Sequence, residues 1–165
     1  MTPSLGPEAA RAAALRLIER MRRTHSDIAR RLRDKGFAPE DINPLLERLT
    51  EVGLIDDVEY ARAYLAGRWG RRAAGWRKLE MDLRKRGVSP ENIAAGRAKL
   101  EAAQGAADEV GMARRAVEQA ERRYARLDPQ ARKRRLWGML VRRGFSTDVI
   151  VQAMKAEAVV ESFEG

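Results

Sequence analysis

Three glycines in equivalent sequence contexts constrain the fold of this chain more than any other feature. Gly36, Gly87 and Gly144 each follow a basic residue and precede a Phe or a Val. A leucine lies four residues before each glycine, an Ile or Leu lies eight before, and an Ile lies six after. Glycine supplies the positive φ that ends a helix, and the next apolar residue then folds back onto the core. The pattern predicts a helical repeat of about fifty residues that occurs three times.

The repeat predicts an all-α fold, because no segment alternates in hydrophobicity as a strand does. We expect a tandem array of three three-helix repeats at residues 1–53, 54–104 and 105–165, elongated and curved. The first residues are expected to fray and the tail from residue 157 to be poorly ordered. The alternative is one compact nine-helix bundle, which the full set of core positions in each repeat disfavours.

Apolar residues at helical spacing predict the buried faces of these helices. The first helix is expected to bury Ala14, Leu17, Ile18 and Met21, the third Ile42, Leu45, Leu46, Leu49 and Val52, and the eighth Leu136, Trp137, Leu140 and Val141. Predicted N-caps are Ser26 or Asp27 for the second helix, Asp56 or Asp57 for the fourth, Ser89 for the sixth, Asp128 for the eighth, and Ser146 or Thr147 for the ninth. The sixth helix is interrupted by Gly96 and Arg97, where a core residue is expected.

Residues 53–65 close the first repeat and open the second. Asp56 and Glu59 form a capping-box pattern at the start of the fourth helix. The cluster of Asp56, Asp57 and Glu59 could in principle hold a divalent cation. Carboxylates favoured by the positive end of a helix dipole explain it more simply, so no metal site is expected.

The composition favours a binding protein over an enzyme. The chain of 165 residues has no cysteine, a single histidine and a net charge of +9. Disulfides and thiolate metal sites are therefore excluded. His25 lies in a predicted turn, and the serines singled out lie at predicted caps, so we expect no catalytic residue and no cofactor. No signal peptide and no membrane span is expected.

Two basic regions, residues 68–86 and 114–135, are the candidate binding surface, because Arg and Lys contact phosphates and carboxylates. The predicted contact residues are Arg68, Arg71, Arg72, Arg77, Lys78, Arg84, Lys85, Arg86, Arg132, Lys133, Arg134 and Arg135. Trp69, Trp76 and Trp137 lie in or beside these regions and are expected to pack in the core.

A helix-turn-helix interpretation is disfavoured. The exposed sides of the third and ninth helices carry Glu47, Glu51 and Asp148 among other acidic residues, which a DNA duplex repels. Weak, non-specific contact with the DNA backbone through other surfaces stays open.

Several of these motifs together resemble the RecX family of regulatory proteins. They are the opening Gly53-Leu54-Ile55-Asp56-Asp57 with Tyr60-Ala61-Arg62, the repeated Leu-x-x-Lys/Arg-Gly-Phe/Val with its following Ile, and the basic connection from Arg71 to Arg77 that leads into Leu79 and Leu83. The resemblance covers about residues 15–154.

The resemblance implies a bacterial cytoplasmic protein, not an enzyme, that binds the RecA recombinase and the RecA–DNA filament. It implies inhibition of ATP hydrolysis, filament extension and strand exchange, and so a role in recombination, DNA repair and the SOS response. We expect a monomer. The alternatives are a non-specific nucleic-acid-binding helical module that acts without RecA, and a structural adaptor for another acidic protein.

Overall fold

The computed structural model describes residues 5–69 and 74–163, with side chains described as far as residue 155. These residues form nine α-helices and no strand. The helices are α1 Pro7–Arg20, α2 His25–Asp34, α3 Pro39–Glu51, α4 Asp57–Arg68, α5 Trp76–Lys85, α6 Pro90–Gln104, α7 Glu109–Tyr124, α8 Pro129–Arg142 and α9 Thr147–Phe163. The all-α prediction is confirmed. α9 runs beyond residue 157, where the sequence predicted a poorly ordered tail.

The three glycines of the repeat end α2, α5 and α8 as predicted. Gly36, Gly87 and Gly144 have φ of 90°, 83° and 87°. The amide of the next residue then bonds back to the carbonyl of the leucine in the last helical turn: Phe37 to Leu32 at 3.1 Å, Val88 to Leu83 at 3.1 Å and Phe145 to Leu140 at 3.2 Å. Phe37, Val88 and Phe145 are buried. Each glycine therefore closes a helix and turns an apolar side chain into the core.

The helices belong to two compact units. Unit 1 comprises Met1–Tyr64 and Leu83–Leu100, and unit 2 comprises Leu65–Asp82 and Glu101–Gly165. α4, α5 and α6 each contribute residues to both. The elongated, curved shape and the repeat boundaries at residues 53 and 104 stay predictions.

The core of unit 1 joins α1, α2 and α3. Its most deeply buried side chains are Ile28, Leu32, Ile42, Leu46 and Ile55, and the small residues Ala10, Ala13 and Ala14 let α1 pack closely. Two predicted core residues are wrong. Met21 is 57% exposed because α1 ends at Arg20 and Met21 continues in extended backbone, and Val52 is 53% exposed because it lies beyond the end of α3.

The core of unit 2 is built mainly by α7, α8 and α9. Met112, Ala113, Val117, Leu140 and Ile150 are among its buried residues. Val141, predicted to be buried, is 52% exposed, and Met139 faces the core instead. The reason is helical spacing, since Leu136, Met139 and Leu140 share a face while Val141 lies about 100° further round from Leu140. Trp69 and Trp137 are partly buried against this core.

Most helix N-caps agree with the sequence. Asp56, Asp128, Ser89 and Ser146 each accept a hydrogen bond from a backbone amide in the first turn of the following helix. The prediction for α2 is wrong, because Thr24 is the cap and accepts from the amide of Asp27 at 3.1 Å. The cap therefore lies two residues before the predicted Ser26, and α2 begins at His25.

Gly96 does not leave a gap in α6. It is buried, and a β-carbon at this position would lie 2.8 Å from the Ala61 side chain and 2.8 Å from the Val58 carbonyl oxygen of α4. The interruption in the predicted core pattern is therefore a place of close helix–helix approach that only glycine permits.

Candidate partner-binding surface

A basic cleft in unit 1 is the candidate binding surface. It has a volume of about 590 Å³ and lies beside the end of α1, along α2 and at the end of α5. Its lining consists of Met21, Arg22, Arg23, Thr24, Ser26, Asp27, Arg30, Arg31, Arg33, Tyr60, Lys85, Arg86 and Gly87. Seven of these residues are Arg or Lys and one is acidic, so the cleft attracts anions.

The sequence of α2 places its arginines on this cleft. Ile28 and Leu32, four residues apart, are fully buried and fix which side of the helix faces the core. Arg30 and Arg33, three residues apart, consequently share the opposite, exposed side. Arg22 and Arg23 reach the cleft because α1 ends at Arg20 and the chain turns through extended residues before Thr24 caps α2.

Asp27 holds three of the arginines in place. Its Oδ2 accepts from Arg23 Nη1 at 2.9 Å and from Arg31 Nε at 3.0 Å, and its Oδ1 accepts from Arg30 Nη2 at 2.6 Å. Burial raises the pKa of Asp27, but these hydrogen bonds outweigh it and hold the pKa below its ordinary value. The carboxylate stays charged and fixes the guanidinium groups around it.

Glu59 anchors Arg22 at the edge of the cleft. Its carboxylate accepts from Arg62 Nε at 2.7 Å and Nη2 at 2.6 Å, which is a bidentate pair, and from Arg22 Nη1 at 2.9 Å. These bonds, from Arg62 first and Arg22 second, lower the pKa of Glu59 to about 2. The predicted capping box is therefore half formed. Asp56 accepts from the Glu59 amide, but the Glu59 carboxylate binds arginines.

The end of α5 docks on the start of α2 and completes the cleft. The hydroxyl of Thr24 donates to the carbonyl oxygen of Arg86 at 2.9 Å, and that of Ser26 donates to Gly87 at 3.2 Å. The Arg86 guanidinium lies 5.1 Å from the centre of the Tyr64 ring, a cation–π distance. These contacts place Lys85 and Arg86 beside the arginines of α2.

The structure separates the twelve predicted contact residues. Lys85 and Arg86 line the cleft, with Arg84 exposed beside them in sequence. The other described ones belong to unit 2, where all but the half-buried Arg132 are exposed: Arg68, Arg77, Lys78, Arg132, Lys133, Arg134 and Arg135. Arg71 and Arg72 lie outside the described residues. Contact of these side chains with a partner stays a prediction.

The sequence analysis missed the arginines that follow α1 and those of α2. Arg22, Arg23, Arg30, Arg31 and Arg33 belong to a segment in which acidic residues are interspersed, so no long basic run marks it. One signal was available. Arg23, Asp27 and Arg31 follow one another at intervals of four, which on a helix brings one carboxylate between two guanidinium groups.

The acidic residues at the start of α4 have separate roles. Asp56 caps the helix, Asp57 Oδ1 accepts from the His25 amide at 2.9 Å, and Glu59 binds arginines. Burial raises the pKa of Asp57, and the His25 amide partly offsets this. Over the part of the chain that the structure describes, no group of three His, Cys, Asp or Glu residues is arranged to hold a metal ion.

The fold and the cleft define a class: an all-helical repeat protein that presents a basic surface. None of the helices within the described ranges is long and apolar enough to cross a bilayer. Comparison with known families identifies the class more closely. Three RecX models match in order, the first three-helix domain at residues 10–49, the second at 56–96 and the third at 107–154. The chain belongs to the RecX family.

Individual relatives support this assignment. The regulatory protein RecX of Thermobifida fusca is 34% identical over 155 residues, which cover 94% of this chain and 82% of the relative. That of Trichlorobacter lovleyi is 39% identical over 157 residues, covering 92% and 97%. The crystal structure of RecX from Lactobacillus salivarius superposes with a TM-score of 0.81, covers 93% of this chain and 97% of that one, and is 20% identical. The structural similarity shows a common fold of tandem three-helix domains.

Proposed function

We propose that this protein regulates the RecA recombinase by binding RecA and its filament on DNA, and that it acts by binding rather than by catalysis. The observation that carries the proposal is the match of all three three-helix domains to RecX, whose relatives are named regulatory proteins. The bound protein inhibits ATP hydrolysis, filament extension and strand exchange, and in this way modulates recombination, DNA repair and the SOS response in the cytoplasm.

Multivalent contact explains how a small helical protein restrains a filament. Three domains in one chain can each contact a different RecA subunit or a stretch of DNA, and linked contacts raise the overall affinity far above that of each one. The twelve basic residues predicted from the sequence supply the charge for such contacts with acidic protein surface or DNA phosphate.

Charge reversal tests the role of the central basic connection. Arg71→Glu, Arg72→Glu and Arg77→Glu together are expected to weaken binding to RecA filaments on single-stranded DNA, measured by co-sedimentation, while helicity by circular dichroism is unchanged. A matched control reverses Arg11, Arg16 and Arg20, which are exposed on α1. Equal binding by both variants would remove the connection from the interface.

The basic cleft favours one alternative, a non-specific nucleic-acid-binding module that acts without RecA. Such a module would inhibit RecA only by occupying DNA, so excess single-stranded DNA would abolish the inhibition. A direct RecA regulator retains its effect under those conditions. Capture of partners from a lysate, with and without nuclease, separates these two from an adaptor for another acidic protein. An adaptor would still capture its protein partner after nuclease treatment, and that partner would not be RecA.

A further inference from the structure

We propose that the basic cleft of unit 1 binds the phosphate backbone of a nucleic acid, with Arg33 and Lys85 as direct phosphate contacts. The inference adds a second contact surface to the proposed function, and it can be tested with no RecA present. Most of the cleft's cations come from the segment that follows α1 and from α2, outside the two basic regions that the sequence indicated.

The charge of the cleft suits an anionic partner. Seven cationic side chains line it and Asp27 is the one carboxylate among them. Outside the lining, Glu59 pairs with both Arg22 and Arg62, and Asp34 pairs with Arg30 at 3.6 Å. The remaining excess of positive charge attracts a polyanion and releases its counterions on binding.

The arginines around Asp27 are arranged before a ligand arrives. Arg23, Arg30 and Arg31 each give Asp27 one N–H donor, and a guanidinium has five. Further donors therefore remain beside a cleft whose geometry is already fixed. Arginine N–H groups held in this way suit the several acceptor oxygens of a phosphate.

Two cations in the cleft have no internal ion-pair partner. Within the described ranges, neither Arg33 nor Lys85 has a carboxylate oxygen within the 4.0 Å of a salt bridge, and both side chains are exposed. They come from different helices, α2 and α5, which the bonds from Thr24 and Ser26 hold together. These two residues can contact successive phosphates without breaking an existing interaction.

The polarity of the lining favours a nucleic acid over an acidic protein. Met21 is the only large aliphatic side chain in the lining, and Tyr60 the only aromatic one. Protein–protein interfaces have an apolar, aromatic-rich centre from which charged residues are depleted, whereas nucleic-acid interfaces are more polar and far more positive. The cleft has the second composition.

The experiment measures binding of the whole chain to a labelled oligothymidylate, a duplex of equal length, and poly-glutamate. The test variant is Arg33→Ala with Lys85→Ala. The matched control, Arg16→Ala with Lys99→Ala, removes the same charges from exposed positions of unit 1 outside the cleft. We expect the test variant to bind oligothymidylate about tenfold more weakly in 0.1 M salt, and the slope of log K against log salt to fall by about 1.4, for two lost contacts. Binding to the duplex shows whether the cleft also contacts the phosphates of double-stranded DNA.

A charge-conserving variant, Arg33→Lys with Lys85→Arg, is expected to keep the wild-type salt slope, which assigns the effect to the lost charges, and circular dichroism checks that the alanine variant is folded. The proposal is overturned if the wild type binds neither oligonucleotide at low salt, or if the test and control variants weaken binding equally. It is also overturned if the test variant loses only poly-glutamate, which would assign the cleft to an acidic protein. Because RecA is absent, none of these results bears on RecA regulation itself.

Discussion

Single carboxylates organise the positive charge of this chain. Asp27 gathers Arg23, Arg30 and Arg31, and Glu59 gathers Arg22 and Arg62. Pairs this exposed contribute little to stability individually, so their larger effect is to fix the positions of guanidinium groups. The arginines of the basic surface are consequently held in place around Asp27 and around Glu59.

The pKa of Glu59 predicts a dependence of stability on pH. Its value in the folded protein is about 2, below the ordinary value of 4.5. Its pairing therefore stabilises the fold above the ordinary value, and the contribution is lost as the pH falls towards 2. Glu59→Gln is expected to lower the urea midpoint at neutral pH and to leave it unchanged near pH 2. Glu40→Gln, an exposed carboxyl at the start of α3, is the control; equal effects of both variants would contradict the assignment.

The structure confirms the prediction that Asp56 caps the fourth helix. Its Oδ1 accepts from the amide of Glu59 at 3.0 Å and caps α4. Asp56→Ala is expected to lower the free energy of unfolding by about 1 kcal/mol, whereas Asp56→Asn keeps an acceptor and costs less. Chemical denaturation measures both values, and an equal loss from both substitutions would show that the cap is not the cause.

At the scale of helices, the docking of one helix end on another recurs. The end of α5 meets the start of α2 through Thr24 and Ser26. The end of α8 meets the start of α5 through the equivalent carbonyl groups, but here backbone amides donate: Gly75 to Arg143 at 2.7 Å and Arg77 to Gly144 at 3.1 Å. The repeated Leu-x-x-Lys/Arg-Gly pattern thus ends a helix and also supplies carbonyl groups to a neighbouring one.

Thr24 caps α2 and also bonds to the end of α5, so we expect its substitution to destabilise the protein. Its buried hydroxyl accepts from Asp27 and donates to Arg86. Thr24→Val keeps the shape and leaves two backbone groups without this partner, and we expect a loss of about 2 kcal/mol in the free energy of unfolding. Thr24→Ser retains both bonds, so a similar loss from it would point to packing instead.

Gly96 sets the distance between α4 and α6. Alanine favours a helix by up to about 1 kcal/mol over glycine, but here its methyl group would collide with Ala61 and the Val58 carbonyl. We expect Gly96→Ala to destabilise the protein by about 1–3 kcal/mol, as overpacking does. Gly67→Ala in α4 meets no atom within 4 Å and should be neutral or stabilising. Thermal unfolding of both variants tests the contrast, which fails if Gly96→Ala is also neutral.

Helix ends and buried faces could be predicted because local rules decide them. Gly36, Gly87 and Gly144 ended their helices as expected. Of the thirteen residues predicted for the buried faces of the first, third and eighth helices, six are buried, four are half-buried and three are exposed. The cap of α2 could not be predicted, because Thr24, Ser26 and Asp27 are all good caps. A contact with Arg86, which is distant in sequence, selects Thr24 among them. The cleft was missed for a similar reason, because α2 and α5 are separated in sequence and meet only in the folded unit.

At the scale of the whole molecule, three domains of one family lie in one chain. Their order follows from the repeated sequence pattern and agrees with the RecX matches at residues 10–49, 56–96 and 107–154. The division into compact units was not predicted, because helical spacing specifies which face of a helix is buried but not which neighbour covers it. Regulation of RecA is therefore best tested with the full chain.

Regulation of RecA is tested most simply by measuring ATP hydrolysis by RecA on single-stranded DNA as the purified protein is titrated in. We expect hydrolysis to fall at ratios near one protein per several RecA subunits, and the inhibition to persist when single-stranded DNA is in excess. Unchanged hydrolysis at stoichiometric ratios would show that the protein does not inhibit RecA.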